Sequence, residues 1–262
     1  MAPGQASARL HYRERGAGPP VLILHGGWGY EAYPFDGVMA ALEPRHRAIA
    51  PDRTGYGRSD RIAELPDGFH RAMAEETALL LDALGIDTVT LWGHSDGAVI
   101  AAWAAILFPE RVRALVLEAL HYLADKPSSL EFFQTALDAP ERFGDATVAA
   151  LARDHGEGWR DVIAAGGRAW LRILSRGSRG QADLYDGRLG EVACPTLVLH
   201  GRRDPRTEPG EIAAALRALP LARLELLDAG HSPHTSALAG GRCIDLGARF
   251  VDEAPPRRRV IR

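Results

Sequence analysis

The stretch Thr88–Leu107, TVTLWGHSDGAVIAAWAAIL, reads as a strand, a tight turn and a helix in immediate succession. Thr88 to Trp92 is a short, apolar and β-branched run of the kind a strand buried on both faces requires. Ala98 to Leu107 recurs at helical spacing. Between them stands Gly93-His94-Ser95-Asp96-Gly97. A serine on such a turn sits in a strained backbone that needs small neighbours, supplied by Gly93 and Gly97. The turn exposes Oγ at a helix N-terminus, whose dipole favours developing negative charge. G-x-S-x-G alone is a weak pattern; a strand before it and a helix after it make it specific.

Working outward, the same alternation fills most of the chain. Val21 to Leu24 runs into Gly26-Gly27, Arg47 to Ala50 ends at Pro51-Asp52, and Val112 to Leu117 ends at Glu118. Thr196 to Leu199 ends at His200-Gly201, and Leu224 to Leu227 ends at Asp228-Ala229-Gly230. Helical spacing returns between strands, as in Met73 to Leu84. Strands alternating with helices predict βαβ units and a doubly wound, mostly parallel α/β sheet. Arg9 to Arg15 alternates more and is expected to lie antiparallel near one edge.

From about Leu120 to Leu189 the pattern turns wholly helical, which reads as a lid inserted into the sheet. Ser128-Ser129-Leu130-Glu131 suggests a capping box with Ser128 at the N-cap. Asp145 is a candidate cap for a second helix over 146–153. A third, Trp159 to Leu174, puts Trp159, Val162, Ile163, Trp170, Leu171 and Leu174 on one stripe. Gly166-Gly167 inside it predicts a kink or close packing. The expected organisation is 1–119 for the first part of the core, 120–189 for the lid, 190–254 for the second part and 255–262 for a basic tail.

Composition narrows the function. The 262 residues carry 31 Lys+Arg against 34 Asp+Glu, a net charge of −3, which offers no basic footprint for nucleic acid. A hydrophobic fraction of 46% is that of an ordinary globular protein, which sets disorder and disulfide scaffolds aside. No apolar run approaches the roughly 18 residues of a membrane span, and the first residues hold charges where a signal peptide is apolar. A cytoplasmic location with no membrane partner is the expectation. Lys126 is the one lysine and asparagine is absent, which points to a GC-rich bacterial gene. Cys194 and Cys243 read as buried thiols. No histidine cluster has metal-ligand spacing, so no metal is expected. Oligomeric state is not legible.

Two further loops follow strand ends, where open α/β sheets place their sites. One is Gly201-Arg202-Arg203-Asp204-Pro205; the other is Gly230-His231-Ser232. A serine hydroxyl needs a base within reach, and an imidazole needs a carboxylate to fix its tautomer. Ser95, Asp204 and His231 therefore form a candidate nucleophile, acid and base, in the chain order Ser…Asp…His. Glu118 is the rival acid and His234 the rival base. His234 is expected in the first turn of the last helix, capping it or lining the mouth, and Glu118 with His121 and Tyr122 at a pocket rim or lid hinge. His25 reads as structural, and Asp52-Arg53 with Gly55–Ser59 as a tight turn holding an internal ion pair.

Together with His25-Gly26-Gly27-Trp28-Gly29 and the run Asp52–Ser59, these motifs resemble the α/β-hydrolase fold family over about residues 9–119 and 190–250. The Ser95-Asp96-Gly97 elbow and the Gly-His-Ser-Pro-His run at 230–234 are most similar to small bacterial serine hydrolases akin to the valacyclovirase (biphenyl-hydrolase-like) group. The loop at Gly26 differs in lacking the proline many relatives carry. The resemblance implies a helical lid after the sixth core strand and a cofactor-free serine hydrolase working through an acyl-enzyme on a small ester. It also implies an oxyanion hole from the backbone N–H of Asp96 and that of Gly27, with Trp28 the second choice. Asp96, Trp28, His121 and Tyr122 are candidate substrate contacts. A carboxylate at Asp96 suggests cationic, amino-acid-like esters. C–C bond hydrolysis, cofactor-free perhydrolysis and non-catalytic small-molecule binding are the alternatives. Dehalogenase and epoxide hydrolase chemistry is disfavoured, since those relatives carry Asp where this chain has Ser95.

Overall fold

The computed structural model describes residues 8–180 and 182–254; the basic tail 255–262 lies outside them. Among the described residues seven strands form one sheet in the order β1-β3-β2-β4-β5-β6-β7. In chain order they are β1 (Tyr12–Arg15), β2 (Pro20–Leu24), β3 (Arg47–Pro51), β4 (Val89–His94), β5 (Val112–Glu118), β6 (Thr196–Gly201) and β7 (Ala222–Leu227). β1 runs antiparallel to β3 at one edge, as its alternation suggested, and every other pairing is parallel. The helices are α1 (Asp36–Leu42), α2 (Phe69–Ala83), α3 (Asp96–Leu107), α4 (Leu130–Asp138), α5 (Asp145–His155), α6 (Trp159–Gly177), α7 (Glu211–Ala218) and α8 (Gly240–Glu253).

The continuous apolar runs are explained by cover on both faces. Leu22, Leu24, Leu91, Leu115 and Leu117 join α2 and α3 in one core, while Val21, Ile23, Trp92, Val116 and Leu197 join α1 and α8 in the other. Burying each such side chain stabilises the fold by about 1.5–3 kcal/mol. Gly247 of α8 lets the Trp92 ring close against the helix, since a Cβ there would stand 2.1 Å from the ring. β7, at the far edge, is only partly buried, as an edge strand with one neighbour should be.

The helices α4 to α6 lie between β5 and β6, which makes them a lid inserted after the central strands. The insertion follows the fifth strand along the chain, one earlier than the family resemblance implied, because only β1 to β5 precede it. Its two ends meet at a bridge between Leu123 and Asp183. The buried carboxylate of Glu211 accepts the N–H groups of Tyr122 and Leu123 and pairs with the buried Lys126, fixing the departure of the lid to α7.

Several local expectations are corrected. The capping box does not form: Ser129 precedes α4, and Ser128 donates its N–H to Glu208 of the core instead. Gly144 is the N-cap of α5, with Asp145 the first helical residue. Gly166-Gly167 produces close packing, for a Cβ on Gly167 would lie 2.9 Å from the Phe133 carbonyl of α4. The Asp52 turn exists, but its ion pair is with Arg13, at 2.5 Å, not with Arg53. Arg53 donates to the Gly26 carbonyl at 2.8 Å, holding that loop. Both cysteines are buried thiols, outside any disulfide.

Candidate active site

The elbow is built as its sequence requires. Ser95 has φ 54° and ψ −120°, a left-handed backbone that costs on the order of 1–3 kcal/mol for a non-glycine residue. Glycines alone fit beside it: a Cβ on Gly93 would meet the Gly97 carbonyl at 2.2 Å, and one on Gly97 the Leu24 carbonyl at 2.0 Å. The Ser95 N–H donates to the Glu118 carbonyl at 2.9 Å, so β5 holds the turn from beneath.

Asp204, past the end of β6, and His231, past the end of β7, converge on it. Ser95 Oγ lies 2.9 Å from His231 Nε2, and His231 Nδ1 lies 2.8 Å from Asp204 Oδ2. These distances define one proton arrangement. Nδ1–H donates to Asp204, leaving Nε2 to accept the serine proton. Burial opposes ionisation of Asp204, but the hydrogen bond and charge of His231 prevail and hold its carboxyl well below the usual range. Burial, reinforced by the charge of Arg206, brings the His231 imidazole down to about 4. The base is therefore neutral at ordinary pH, which a general base must be.

The rivals are placed elsewhere. Glu118 accepts the N–H and the Nδ1–H of His234, at 2.8 and 2.7 Å, and the Trp92 indole N–H at 3.3 Å. His234 lies in a short 3-10 turn, Pro233–Thr235, ahead of α8 and stacks on Phe35 at 4.2 Å. It neither caps that helix nor lines the mouth, since its Nε2–H donates to the Tyr33 carbonyl at 3.2 Å. His25 is structural as expected: Nδ1–H donates to the Gly26 carbonyl and Nε2 accepts the Arg53 N–H. Among the described residues His94, Glu118 and His234 bring ligand atoms within 4.8 Å of one another. Glu118 and His234 are bonded to each other and His94 Nε2 lies 2.9 Å from the Ser232 hydroxyl, which makes the three a polar support under the elbow.

Above Ser95 is a cavity of about 30 Å³. It is lined by Gly27 and Trp28 from the loop after β2, by Asp96, His121, His231 and Arg206, and by lid residues that include Phe132, Phe133, Ile163 and Trp170. That volume holds a water molecule or two.

Three of the four candidate substrate contacts line this cavity; Tyr122 does not. Its ring lies against Tyr185, 6.2 Å between centroids, because its backbone is tied to Glu211. His121 comes closer to the chemistry than a rim residue would. Its Nε2 is 3.4 Å from Ser95 Oγ and its ring stacks on His231. Burial, then the charges of Lys126 and Arg206, keep it neutral. Asp96 reaches the cavity, but Oδ1 is already engaged by His70 Nε2 at 3.1 Å and by the Trp170 indole N–H at 3.0 Å. Burial would raise its carboxyl, yet His70, Arg53 and Trp170 outweigh that and lower it. Arg206, which no motif brought forward, supplies the free charge. Its signal in the sequence was a cation two residues beyond the acid, on a loop already known to face the serine.

The fold and this constellation define a class. The alpha/beta hydrolase fold family matches residues 19–183, and the chain belongs to it. Among individual relatives, the chain is 41% identical over 241 residues to the 2-hydroxy-6-oxo-2,4-heptadienoate hydrolase of Pseudomonas putida, covering 82% of each. It is 30% identical over 256 residues to the pimeloyl-[acyl-carrier protein] methyl ester esterase of Nitrosomonas europaea, covering 87% of this chain and 95% of that one. A thermophilic esterase of Thermogutta terrifontis, solved with malate bound, superposes with a TM-score of 0.70 at 25% identity over 94% of both chains. Haloalkane dehalogenase 2 of Mycobacterium bovis is 30% identical over 137 residues only. The chain spans about half the length of that group of relatives, 46% in this case. No helix among the described residues is long and apolar enough to cross a membrane.

Proposed function

We propose that the protein is a serine hydrolase of small esters. Ser95 Oγ attacks the acyl carbon while His231 Nε2 takes its proton, and the imidazolium is stabilised by Asp204. His231 returns the proton to the leaving alkoxide, leaving an acyl group on Ser95. Water, deprotonated by the same nitrogen, then releases the acid. The oxyanion is held by the N–H of Asp96, at the first position of α3 where no intrahelical acceptor exists, and by that of Gly27, with Trp28 the second choice. Removing one such donor typically costs ~2.7–4 kcal/mol of transition-state stabilisation. The observation that carries the reading is the unbroken chain from Ser95 Oγ through His231 to Asp204, at 2.9 and 2.8 Å.

A nucleophilic hydroxyl at position 95 suits acyl transfer better than displacement of a halide or opening of an epoxide, for which a carboxylate serves. C–C hydrolysis is the second reading, favoured by the 41% identity to a hydrolase named for a 6-oxo dienoate, a compound without an ester. The same triad could serve it. The finer likeness to the valacyclovirase group remains a proposal resting on the Ser95-Asp96-Gly97 elbow and the 230–234 run. Its consequence, a cationic ester paired with Asp96, is opposed by the bonds Asp96 already makes to His70 and Trp170.

The test is kcat/KM on p-nitrophenyl esters with short, long and α-aminoacyl groups, beside Ser95→Ala. Turnover lost in the variant supports the esterase. No turnover above the variant, with a 6-oxo dienoate cleaved instead, transfers the assignment to C–C hydrolysis. Fluorophosphonate labelling of Ser95 without turnover of either substrate favours a small-molecule binder.

A further inference from the structure

The cavity contains two charged side chains, and they are in opposite situations. Asp96 is buried and bonded to His70 and Trp170. Arg206 is only partly buried and lines the same cavity. Its backbone N–H donates to Asp204 Oδ1 at 2.9 Å, which pins its Cα beside the acid of the triad. Its guanidinium carbon sits 3.6 Å over the Phe132 ring and 5.6 Å from the Trp28 ring. Trp28 and Phe132 are themselves stacked at 5.2 Å, so the cation rests on a preformed aromatic wall. Among the described residues the guanidinium has neither a carboxylate partner nor a side-chain hydrogen bond.

Seating on a ring face uses the π side of a guanidinium and leaves its N–H donors available in a fixed fork. Such a fork matches the two oxygens of a carboxylate. Among the cavity's other polar groups, His121 and His231 are held neutral, and Asp96 has its Oδ1 engaged by His70 and Trp170. We infer that Arg206 is the anchor for a free carboxylate on the substrate, so that the site selects small esters carrying a second, ionised acid group. This rests on the hydrolase reading of Ser95 and narrows its substrate class.

The experiment compares three p-nitrophenyl esters of similar chain length: the glutarate monoester, the neutral valerate and the cationic γ-aminobutyrate. Each is measured with the wild type, Arg206→Gln and Arg206→Lys. Arg206 also bears on His231, but that influence is common to all three esters and cancels in their ratio. The wild type is expected to favour glutarate over valerate. Arg206→Gln is expected to reduce that ratio by roughly ten- to a hundredfold, the worth of a charge-assisted hydrogen bond, and Arg206→Lys to restore part of it. A ratio unmoved by Arg206→Gln, or a preference for the aminobutyrate, overturns the inference. Calorimetry of glutarate with Ser95→Ala separates this result from failure of the hydrolase reading. Should no ester be turned over, glutarate binding that is lost in Ser95→Ala/Arg206→Gln still supports the anchor, and binding absent from both proteins overturns it.

Discussion

Two buried histidine–carboxylate pairs lie side by side in this molecule, three residues apart on one loop. His231 is 2.8 Å from Asp204; His234 is 2.7 Å from Glu118. Distance to the acid therefore does not distinguish a catalytic base from a structural histidine. The second ring nitrogen does. In His231 it faces Ser95 Oγ beside a cavity; in His234 it donates to the Tyr33 carbonyl inside the core. The acids differ as well. Asp204 accepts besides only a backbone N–H of its own loop, that of Arg206, whereas Glu118 also accepts the Trp92 indole and the His234 backbone, so it ties β4 and the last loop to β5.

The contrast can be broken by substitution. Ser95→Ala should lower kcat by about a millionfold, as loss of a serine nucleophile does elsewhere, read with the ester that the wild type turns over best. Asp204→Asn keeps the shape but frees the wrong tautomer, and should cost kcat ~10⁴-fold. Glu118→Gln should act on stability, about 3–5 kcal/mol in urea unfolding, since it leaves a buried network without its charge. If Glu118→Gln instead matched Asp204→Asn in kcat, the division of labour between the pairs would be wrong.

The pH dependence sharpens the same division. His231 lies near 4, so kcat/KM should rise with pH through a limb near that value and then level off. Arg206→Gln removes a charge that opposes the imidazolium, so the limb should move to higher pH. Glu118 is held down at about 2 by the charge and hydrogen bond of His234, and by His94, against its burial. A carboxyl held low in the native state stabilises it above the unfolded value and loses that contribution as pH falls through the folded one. The stability gap between wild type and Glu118→Gln should be full above about 4.5 and close toward about 2. The smallest effect concerns the lid. Gly167→Ala should destabilise by about 1–3 kcal/mol through collision with Phe133, despite alanine's better helix propensity.

What the sequence disclosed follows from how local each signal is. The elbow was legible because strand, serine, glycines and helix are contiguous between Thr88 and Leu107. Asp204 and His231 were legible because a site at strand ends requires them there. Glu118 against His234 was not, because that pairing spans more than a hundred residues and looks the same in sequence as the catalytic one. Tyr122 was misplaced because Glu211, on a helix far along the chain, decides which way it faces. The commitment of Asp96 to His70 depends on α2 meeting the elbow, and the freedom of Arg206 depends on partners that are missing, which no motif records.

The central claim is that chemistry passes through Ser95. Wild-type protein mixed rapidly with p-nitrophenyl acetate, quenched in acid and mapped by peptide mass spectrometry tests it most directly. An acetyl group on the peptide bearing Ser95, absent from Ser95→Ala, is the predicted result. Ester turnover with no acyl group on that peptide, or turnover that survives Ser95→Ala, would contradict it.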